Sequence, residues 1–226
     1  MIESTERYFL QQQEILGTEW YLNRPIVSEN VPDLIEYRRS IQQCQKCILS
    51  QTRTRFVFGT GNPKANLMLI GEAPGEDEDI KGEPFVGKAG QLLDRILAAI
   101  GFDRHEVYIA NILKCRPPKN RDPLPEEMAL CLTYLIQQIV LVQPKLILLL
   151  GRIAAHALLK SASSLSQMRG KVHRFSGIPV VVTFHPAALL RNPQWKPQTW
   201  EDVQMLRRMY DEIVGDKSPW TPKKRN

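Results

Sequence analysis

The segment "LMLIGEAPGEDEDIKGEPFVGKAG", residues 67–90, decides the fold of this chain. It opens with a short apolar run, which is typical of a buried strand, and then breaks into a turn that contains Gly and Pro. Five acidic residues follow within eight positions, in a chain whose formal net charge is +6. Apolar residues with helical spacing come next. The segment therefore predicts a strand, a turn and a helix in succession, which is the repeating unit of an α/β fold.

Three further segments repeat this pattern. The apolar runs are short, rich in branched aliphatic residues and bounded by turn residues, as in buried parallel strands. They are residues 67–70, 107–110, 146–150 and 178–183. Helical spacing of apolar residues follows at 92–100, 132–140, 154–159 and 200–213. The alternation of strands and helices predicts an α/β fold with a parallel sheet.

The chain has 226 residues, of which 43% are hydrophobic, and this is enough for one well-packed core. We predict an N-terminal extension over residues 1–30, helical or disordered, a folded domain over 31–215, and a mobile basic tail over 216–226. No apolar run reaches membrane-spanning length, and the N-terminus does not resemble a signal peptide. We expect a cytoplasmic protein, and the positive charge is compatible with a nucleic-acid partner.

The chain has four cysteines, Cys44, Cys47, Cys115 and Cys131. The first two form a C-x2-C pair, and the other two lie sixteen positions apart. Disulfides are not expected inside the cell, and a redox pair would leave two cysteines unexplained. Four thiolates suit either zinc or an iron–sulfur cluster. The spacing therefore predicts a four-cysteine metal centre without choosing the metal.

Unusual residues follow each predicted strand, in "GEAPGEDED", "NILKCRPP", "GRIAAH" and "FHPAALLR". The carboxyl ends of parallel strands form the edge at which α/β sheets bind ligands. Gly71 and Gly75 would allow a ligand close to the backbone, and Phe85 could stack on a planar group. Asn111 offers a donor and an acceptor, and His185 ends the fourth strand. Each residue alone has an ordinary structural explanation, but together they predict a binding site.

These motifs, with the early C-x2-C pair, resemble the type-4 uracil-DNA glycosylases in order and spacing from about Cys44 to Ile213. The resemblance implies a three-layer α/β/α fold with a central, mainly parallel four-stranded sheet. It also implies a structural [4Fe–4S] cluster bound by the four cysteines. The partner would be uracil-containing DNA, bound by a monomer. Residues 1–30 lie outside the resemblance and receive no function from it.

The resemblance also implies roles for individual residues. Phe85 would stack on a flipped uracil, Asn111 would read its pairing edge, and His185 would donate towards its O2. The turn that holds uracil through backbone groups would be formed by Gly71, Glu72 and Ala73. Leu189 would fill the gap left in the duplex, and Arg191 would meet phosphate. Basic residues around Cys115 are also predicted to face DNA phosphate: Lys114, Arg116, Lys119 and Arg121.

The implied reaction is hydrolysis of the N-glycosidic bond of a flipped base, with His185 stabilising the uracil anion that leaves. Type-1 uracil-DNA glycosylases carry an Asp where this chain has Ala73. We therefore predict that Glu72 steers water or stabilises the sugar cation. Most of the acidic run at residues 76–79 is expected to be solvated. The alternative is a non-catalytic DNA-binding module with a four-cysteine centre, associated with replication.

Overall fold

A computed structural model describes residues 33–218 and 220–221. The strands are β1 Thr60–Gly61, β2 Leu67–Gly71, β3 Tyr108–Asn111, β4 Leu146–Leu150, β5 Val172–Phe175 and β6 Ile178–Thr183. The helices are α1 Leu34–Ile41, α2 Glu76–Lys81, α3 Lys88–Ala99, α4 Pro125–Val142, α5 Arg152–Leu159, α6 Leu165–Met168, α7 Pro186–Arg191 and α8 Lys196–Ile213. Short 3-10 helices lie at Ile48–Gln51, Pro118–Asn120 and Pro193–Trp195. The predicted extension at residues 1–30 lies outside the described residues.

The strands form one sheet in the order β1-β3-β2-β4-β6-β5. The four inner strands are those predicted from the apolar runs, and they pair in parallel. The sheet has six strands rather than four, because β1 and β5 add antiparallel edges. The strand β1 has only two residues, and β5 alternates between exposed and half-buried side chains. Neither edge strand therefore has the continuous apolar run that marks a buried strand.

The inner strands are apolar on both faces, and each face carries its own core. Alternate residues Met68, Ile70 and Ile147 pack towards α4 and α5. The intervening residues Leu67 and Leu69 pack with side chains of α3 and α8 on the opposite face. This period of two follows from the pleat of a strand. Helices therefore cover both faces, and the α/β/α fold is confirmed.

The chain after α8 returns to the folded body. The Tyr210 hydroxyl donates to Asp216 at 3.1 Å, and the buried guanidinium of Arg207 donates to the Ser218 carbonyl at 2.8 Å. The Trp220 indole N–H donates to the carbonyl of Ala99 at 3.1 Å. The first residues of the tail that we predicted to be mobile therefore contact the folded body. Among the described residues, no helix is long and apolar enough to span a membrane.

Candidate active site

Residues at or just after the carboxyl ends of β2, β3 and β6 line a cavity of about 340 Å³. The site residues predicted from four separate motifs meet there. Those that line the cavity are Glu72, Ala73, Phe85, Asn111, His185 and Arg191. Parallel pairing brings them together, because it aligns the ends of strands that are far apart in sequence. The ladder between β2 and β3 continues past Asn111, since the Ile112 N–H donates to the Gly71 carbonyl at 2.9 Å.

Gly71 ends β2 directly under two of these side chains. A Cβ at Gly71 would overlap the Asn111 side-chain oxygen and the edge of the Phe85 ring. Because only a hydrogen fits there, the amide and the ring both lie against the backbone of the turn. A glycine is therefore required at position 71, because the Asn111 and Phe85 side chains approach its backbone closely.

Asn111 is 2% exposed, and its Oδ1 has no hydrogen-bond partner among the residues that the structure describes. Its backbone carbonyl accepts from Lys114 Nζ at 2.8 Å. A buried acceptor without a donor is costly, at about 1–3 kcal/mol. This oxygen is therefore available to an N–H group of a ligand in the cavity.

Phe85 adopts a left-handed backbone conformation with φ of 54°, which is unusual for a bulky residue. Its ring lies 5.4 Å from the His185 ring, with 30° between the two planes. In α3, Gly90 makes room for the Phe85 carbonyl, which a Cβ at that position would strike. Strained backbone of this kind is characteristic of binding sites, where the surrounding structure holds it. The Phe85 ring is thus fixed as one wall of the cavity.

His185 caps the N-terminus of α7. Its Nδ1 accepts a hydrogen bond from the Ala187 N–H at 3.2 Å. Burial lowers the pKa of His185 to about 4, and the charge of Arg191 acts in the same direction. The imidazole is therefore neutral near pH 7. Because Nδ1 is an acceptor, the proton of the neutral ring is on Nε2, which is a donor.

Glu72 is a half-buried carboxylate of the same cavity. Burial raises its pKa to about 7, and the nearby charge of Asp122 acts in the same direction. Arg152 and Arg191 oppose this shift. Glu72 therefore gains and loses a proton near neutrality, the range in which a carboxylate is useful as an acid or a base.

The acidic run at residues 76–79 forms α2, and half of it is structural. Glu78 accepts from the N–H groups of Val86 and Gly87, at 2.9 Å each. Asp79 is 3% exposed and accepts from the Thr54 N–H at 2.9 Å. The other two acids of the run are exposed. The prediction that most of the run is solvated is therefore wrong for its second half, which fixes the loops on both sides.

The four cysteines are free and pack in one apolar cluster, in which Cys115 and Cys131 are buried. Three of the sulfurs accept hydrogen bonds. Arg53 donates to Cys115 at 3.1 Å, Tyr134 to Cys44 at 3.2 Å, and the Lys114 N–H to Cys131 at 3.2 Å. Thiols need no such set of donors, whereas metal-bound thiolates are commonly hydrogen-bonded in this way.

Burial raises the pKa of the Cys131 thiol to about 12 and also raises the pKa of Cys115. A bound metal ion reverses this preference, because it holds a coordinating thiol in its deprotonated form. In the described ranges, no three His, Cys, Asp or Glu side chains form a group that fits one metal ion. The four cysteines are compatible with a metal cluster.

Comparison with known proteins gives the family. Residues 58–204 match the model of the uracil-DNA glycosylase superfamily. A type-4 uracil-DNA glycosylase of Archaeoglobus fulgidus is 43% identical over 199 residues, which cover 84% of this chain and 96% of the relative. The chain belongs to the type-4 uracil-DNA glycosylase family.

Two other relatives mark the range of the similarity. A type-4 uracil-DNA glycosylase of Pyrobaculum aerophilum is 44% identical over 182 residues, covering 77% of this chain and 93% of the relative. A DNA polymerase of Bacillus phage SP01 is 30% identical over 154 residues, covering 68% of this chain and 17% of the polymerase. The similarity thus spans nearly the whole length of the type-4 relatives, whereas the polymerase shares one region with this chain.

Several of the basic residues around Cys115 that we predicted to face DNA phosphate are engaged within the protein. Lys114 is fully buried, so the prediction that it faces DNA is wrong. Arg121 forms two hydrogen bonds, at 2.6 and 2.9 Å, with the buried carboxylate of Glu127. Arg116 donates to Asn120 at 2.8 Å and pairs with exposed Glu76 at 3.3 Å, while Lys119 is exposed.

Leu189, the predicted wedge, is 1% exposed and packs with Leu92 and Phe184 beneath α7. The burial of Leu189 disagrees with that role. Its neighbour Leu190 is 43% exposed, and Arg191 next to it is exposed and lines the cavity. Successive residues of a helix point about 100° apart, so only one of two adjacent leucines can face the core. Of the two adjacent leucines, Leu190 is therefore the one that lies at the surface.

Sequence reasoning also missed residues that act on the cavity or on the cysteine centre. Asp122 and Arg152 shift the pKa of Glu72 in opposite directions. Arg53 and Tyr134 donate to cysteine sulfurs from distant parts of the chain. No pattern in the sequence marks these residues, because their roles depend on contacts between segments that only the fold brings together.

Proposed function

We propose that this chain removes uracil from DNA by hydrolysing its N-glycosidic bond and leaves an abasic site. The observation that carries the proposal is the unpaired, buried Oδ1 of Asn111 in a cavity with an aromatic wall. Uracil offers the matching chemistry, because it is planar and carries an N–H between two carbonyl oxygens. Family membership supports the same activity, for which the type-4 relatives are named.

Binding would begin with a base that has left the helix, since a base paired within the duplex cannot enter the cavity. Phe85 would stack on the flipped ring. Asn111 Oδ1 would accept from the N3–H of uracil, and its Nδ2 would donate to O4. Cytosine has an acceptor at N3 and an amino group at C4, so both contacts would be lost. A buried polar group left unpaired by the wrong base is a strong source of discrimination.

Bond breaking leaves negative charge on uracil, and a fixed donor stabilises that charge as it develops. His185 suits this role, because its neutral ring carries the proton on Nε2. We assign Nε2–H as the donor to O2. Glu72 would then act on the other fragment as a carboxylate, by orienting water or stabilising the sugar cation. Ala73 leaves no second carboxylate in the turn.

The metal centre would be a [4Fe–4S] cluster held by Cys44, Cys47, Cys115 and Cys131. Such a cluster takes one thiolate at each of four irons, so its ligands need not converge on a single point as zinc ligands do. The donors to three of the sulfurs support this assignment. When bound, the cluster would supply a crosslink between the C-x2-C segment, the loop after β3 and helix α4.

Contact with DNA would centre on α7 and the exposed basic residues near the cavity. Leu190 would enter the space that the flipped base leaves, and Arg191 and Lys119 would meet phosphates. Arg116 would contribute once DNA competes with its surface pair to Glu76. The enzyme would work inside the cell, at DNA.

The test is release of free uracil from a uracil-containing oligonucleotide by iron-loaded protein. We expect wild type to release uracil, and His185→Ala to lower the single-turnover rate about 10²–10³-fold through loss of the donor. His105→Ala is the matched control, because His105 is exposed in the loop before β3 and should not affect the rate. Loaded wild-type protein that binds DNA but releases no uracil would instead support the non-catalytic module.

A further inference from the structure

Lys114 lies between the base cavity and the cysteine centre, and its side chain is fully buried. Its Nζ donates to the Asn111 carbonyl at 2.8 Å and to Gln138 Oε1 at 2.6 Å. Both acceptors are neutral. Within the described ranges, Lys114 forms no salt bridge with a carboxylate. A buried ammonium without a counter-charge is costly, so this placement calls for an anion nearby.

Gln138 holds the ammonium in place. It is fully buried on α4, two helical turns after Cys131. Its Nε2 donates to the Phe58 carbonyl at 2.9 Å and to the Tyr108 hydroxyl at 3.1 Å. Because the amide nitrogen is engaged by these two acceptors, Oε1 is directed at Lys114. The side chain of Lys114 therefore has one defined position.

The cysteine centre supplies the anion that the other contacts of Lys114 lack. The Lys114 N–H donates to Cys131 Sγ at 3.2 Å, and the next residue is Cys115. Thiolates of a bound cluster would therefore place negative charge next to the residue that carries the buried ammonium. The same residue thus contacts a cysteine sulfur through its backbone and the carbonyl of Asn111 through its side chain.

We propose that Lys114 is a positioning residue that ties the charge of the cysteine centre to the amide that reads the base. This inference rests on the proposed function, namely a cluster on the four cysteines and uracil at Asn111. The ammonium of Lys114 is the buried counter-charge of the cluster. Through the Asn111 carbonyl it sets the end of β3, from which the Asn111 side chain projects into the cavity.

The test is Lys114→Met, which keeps an unbranched side chain and removes the ammonium. Two quantities are measured on the iron-loaded protein: the midpoint potential of the cluster and the dissociation constant of free uracil. We expect a lower potential, because a positive charge that favours the reduced, more anionic cluster is gone. We expect uracil to bind roughly three- to tenfold more weakly, through loss of a charged hydrogen bond that holds Asn111.

Two control variants separate the two effects. Asn111→Ala should weaken uracil binding and leave the potential unchanged. Lys145→Met makes the same substitution at an exposed lysine just before β4, at the amino end of the strand and away from the cavity. It should change neither quantity. If the Lys114→Met protein does not retain iron, the Gln138→Glu variant is measured instead. The added carboxylate would neutralise the ammonium and should lower the potential.

The inference is overturned if Lys114→Met, or Gln138→Glu in its place, has the potential of wild type. It is also overturned if the potential falls while Lys114→Met binds uracil as tightly as wild type, because the charge would then not be coupled to Asn111. Failure of the proposed function looks different, since wild-type protein itself would show no cluster signal or release no uracil.

Discussion

At the scale of single residues, the cavity is defined by groups that would be unfavourable without a ligand. Asn111 buries an unpaired oxygen, and Phe85 adopts a left-handed backbone conformation. Both side chains lie against Gly71, where no larger residue fits. Such features cost stability, and proteins retain them where binding or catalysis requires them.

The pH dependence of excision should report Glu72. With a pKa raised to about 7, Glu72 is protonated in acid and ionised in base. We expect the single-turnover rate to rise with pH through about 7. His185 should not shape the profile above pH 5, because its pKa is lowered to about 4. Glu72→Gln should flatten the profile and lower the plateau roughly 10²–10⁴-fold. If the rate of the Glu72→Gln variant still rises with pH through about 7, the rise belongs to another group.

The raised pKa of Glu72 should also make the free energy of unfolding depend on pH. In the unfolded chain Glu72 ionises near its ordinary pKa of 4.5, whereas in the folded protein it holds its proton up to about pH 7. Folding is therefore penalised progressively as pH rises between these values, and the penalty is complete above the folded pKa. We expect Glu72→Gln to be more stable than wild type at pH 8, by about 1–2 kcal/mol, and equally stable at pH 4. Urea titrations at the two pH values measure this difference.

At the scale of elements, α2 and α7 show how short helices position the site. The four acids of α2 occupy its first turn, where the helix dipole favours negative charge. Two of them also accept backbone N–H groups of the neighbouring loops. Helix α7 begins at Pro186 directly after His185, so the histidine is both the cap of the helix and a wall of the cavity.

Substitutions in α2 should separate its structural acids from its solvated ones. Asp79→Ala removes the acceptor of the Thr54 and Arg55 N–H groups. We expect a loss of about 1–3 kcal/mol in the free energy of unfolding, since hydrogen bonds to a buried, charged acceptor are lost. Glu76→Gln, at an exposed position, should stay within about 0.5 kcal/mol of wild type. Equal effects of the two substitutions would argue against the structural role of Asp79.

The two leucines of α7 should behave oppositely. Leu189→Ala opens a hole in a packed cluster and should cost about 2–4 kcal/mol of stability. Leu190→Ala should leave stability nearly unchanged but slow excision from duplex DNA more than from single-stranded DNA. A single strand has no gap to fill, so its excision rate serves as the internal reference. A similar loss on both substrates would exclude Leu190 as the wedge.

At the scale of the whole molecule, the cysteine centre and the sheet stabilise different parts. The sheet is covered by two apolar cores, one on each face. The segment with Cys44 and Cys47 instead packs in a separate, smaller cluster with Cys115 and Cys131. With a cluster bound, we expect that segment to depend on the cysteine centre for its stability more than the sheet would.

Removal of the metal should therefore loosen one region and spare another. We expect chelation of iron to speed amide hydrogen exchange over residues 33–58 and around Cys115, because their tie to α4 is lost. The inner strands should stay protected by their two cores. Cys47→Ser should reproduce the pattern without chelator. Uniform loss of protection across the sheet would show instead that the whole fold requires the metal.

The sequence predicted the inner sheet well, because four fully buried strands have continuous apolar runs that need no tertiary information. It did not predict β1 and β5, since edge strands bury one side or less and have no such signal. The site residues Phe85, Asn111 and His185 could be singled out because each follows a strand or a glycine turn. The carboxyl ends of parallel strands then bring them together. The monomeric state stays a prediction.

Burial of individual polar and apolar side chains was decided by tertiary structure alone. Lys114 and Arg121 look alike in a basic stretch, yet one is fully buried and the other pairs with Glu127. Leu189 and Leu190 are identical neighbours that face opposite environments. Periodicity and motif spacing are local properties, and they can be read from the order of residues along the chain. Which member of a pair meets the core depends on helix phase and on distant segments, and these exist only in the folded molecule.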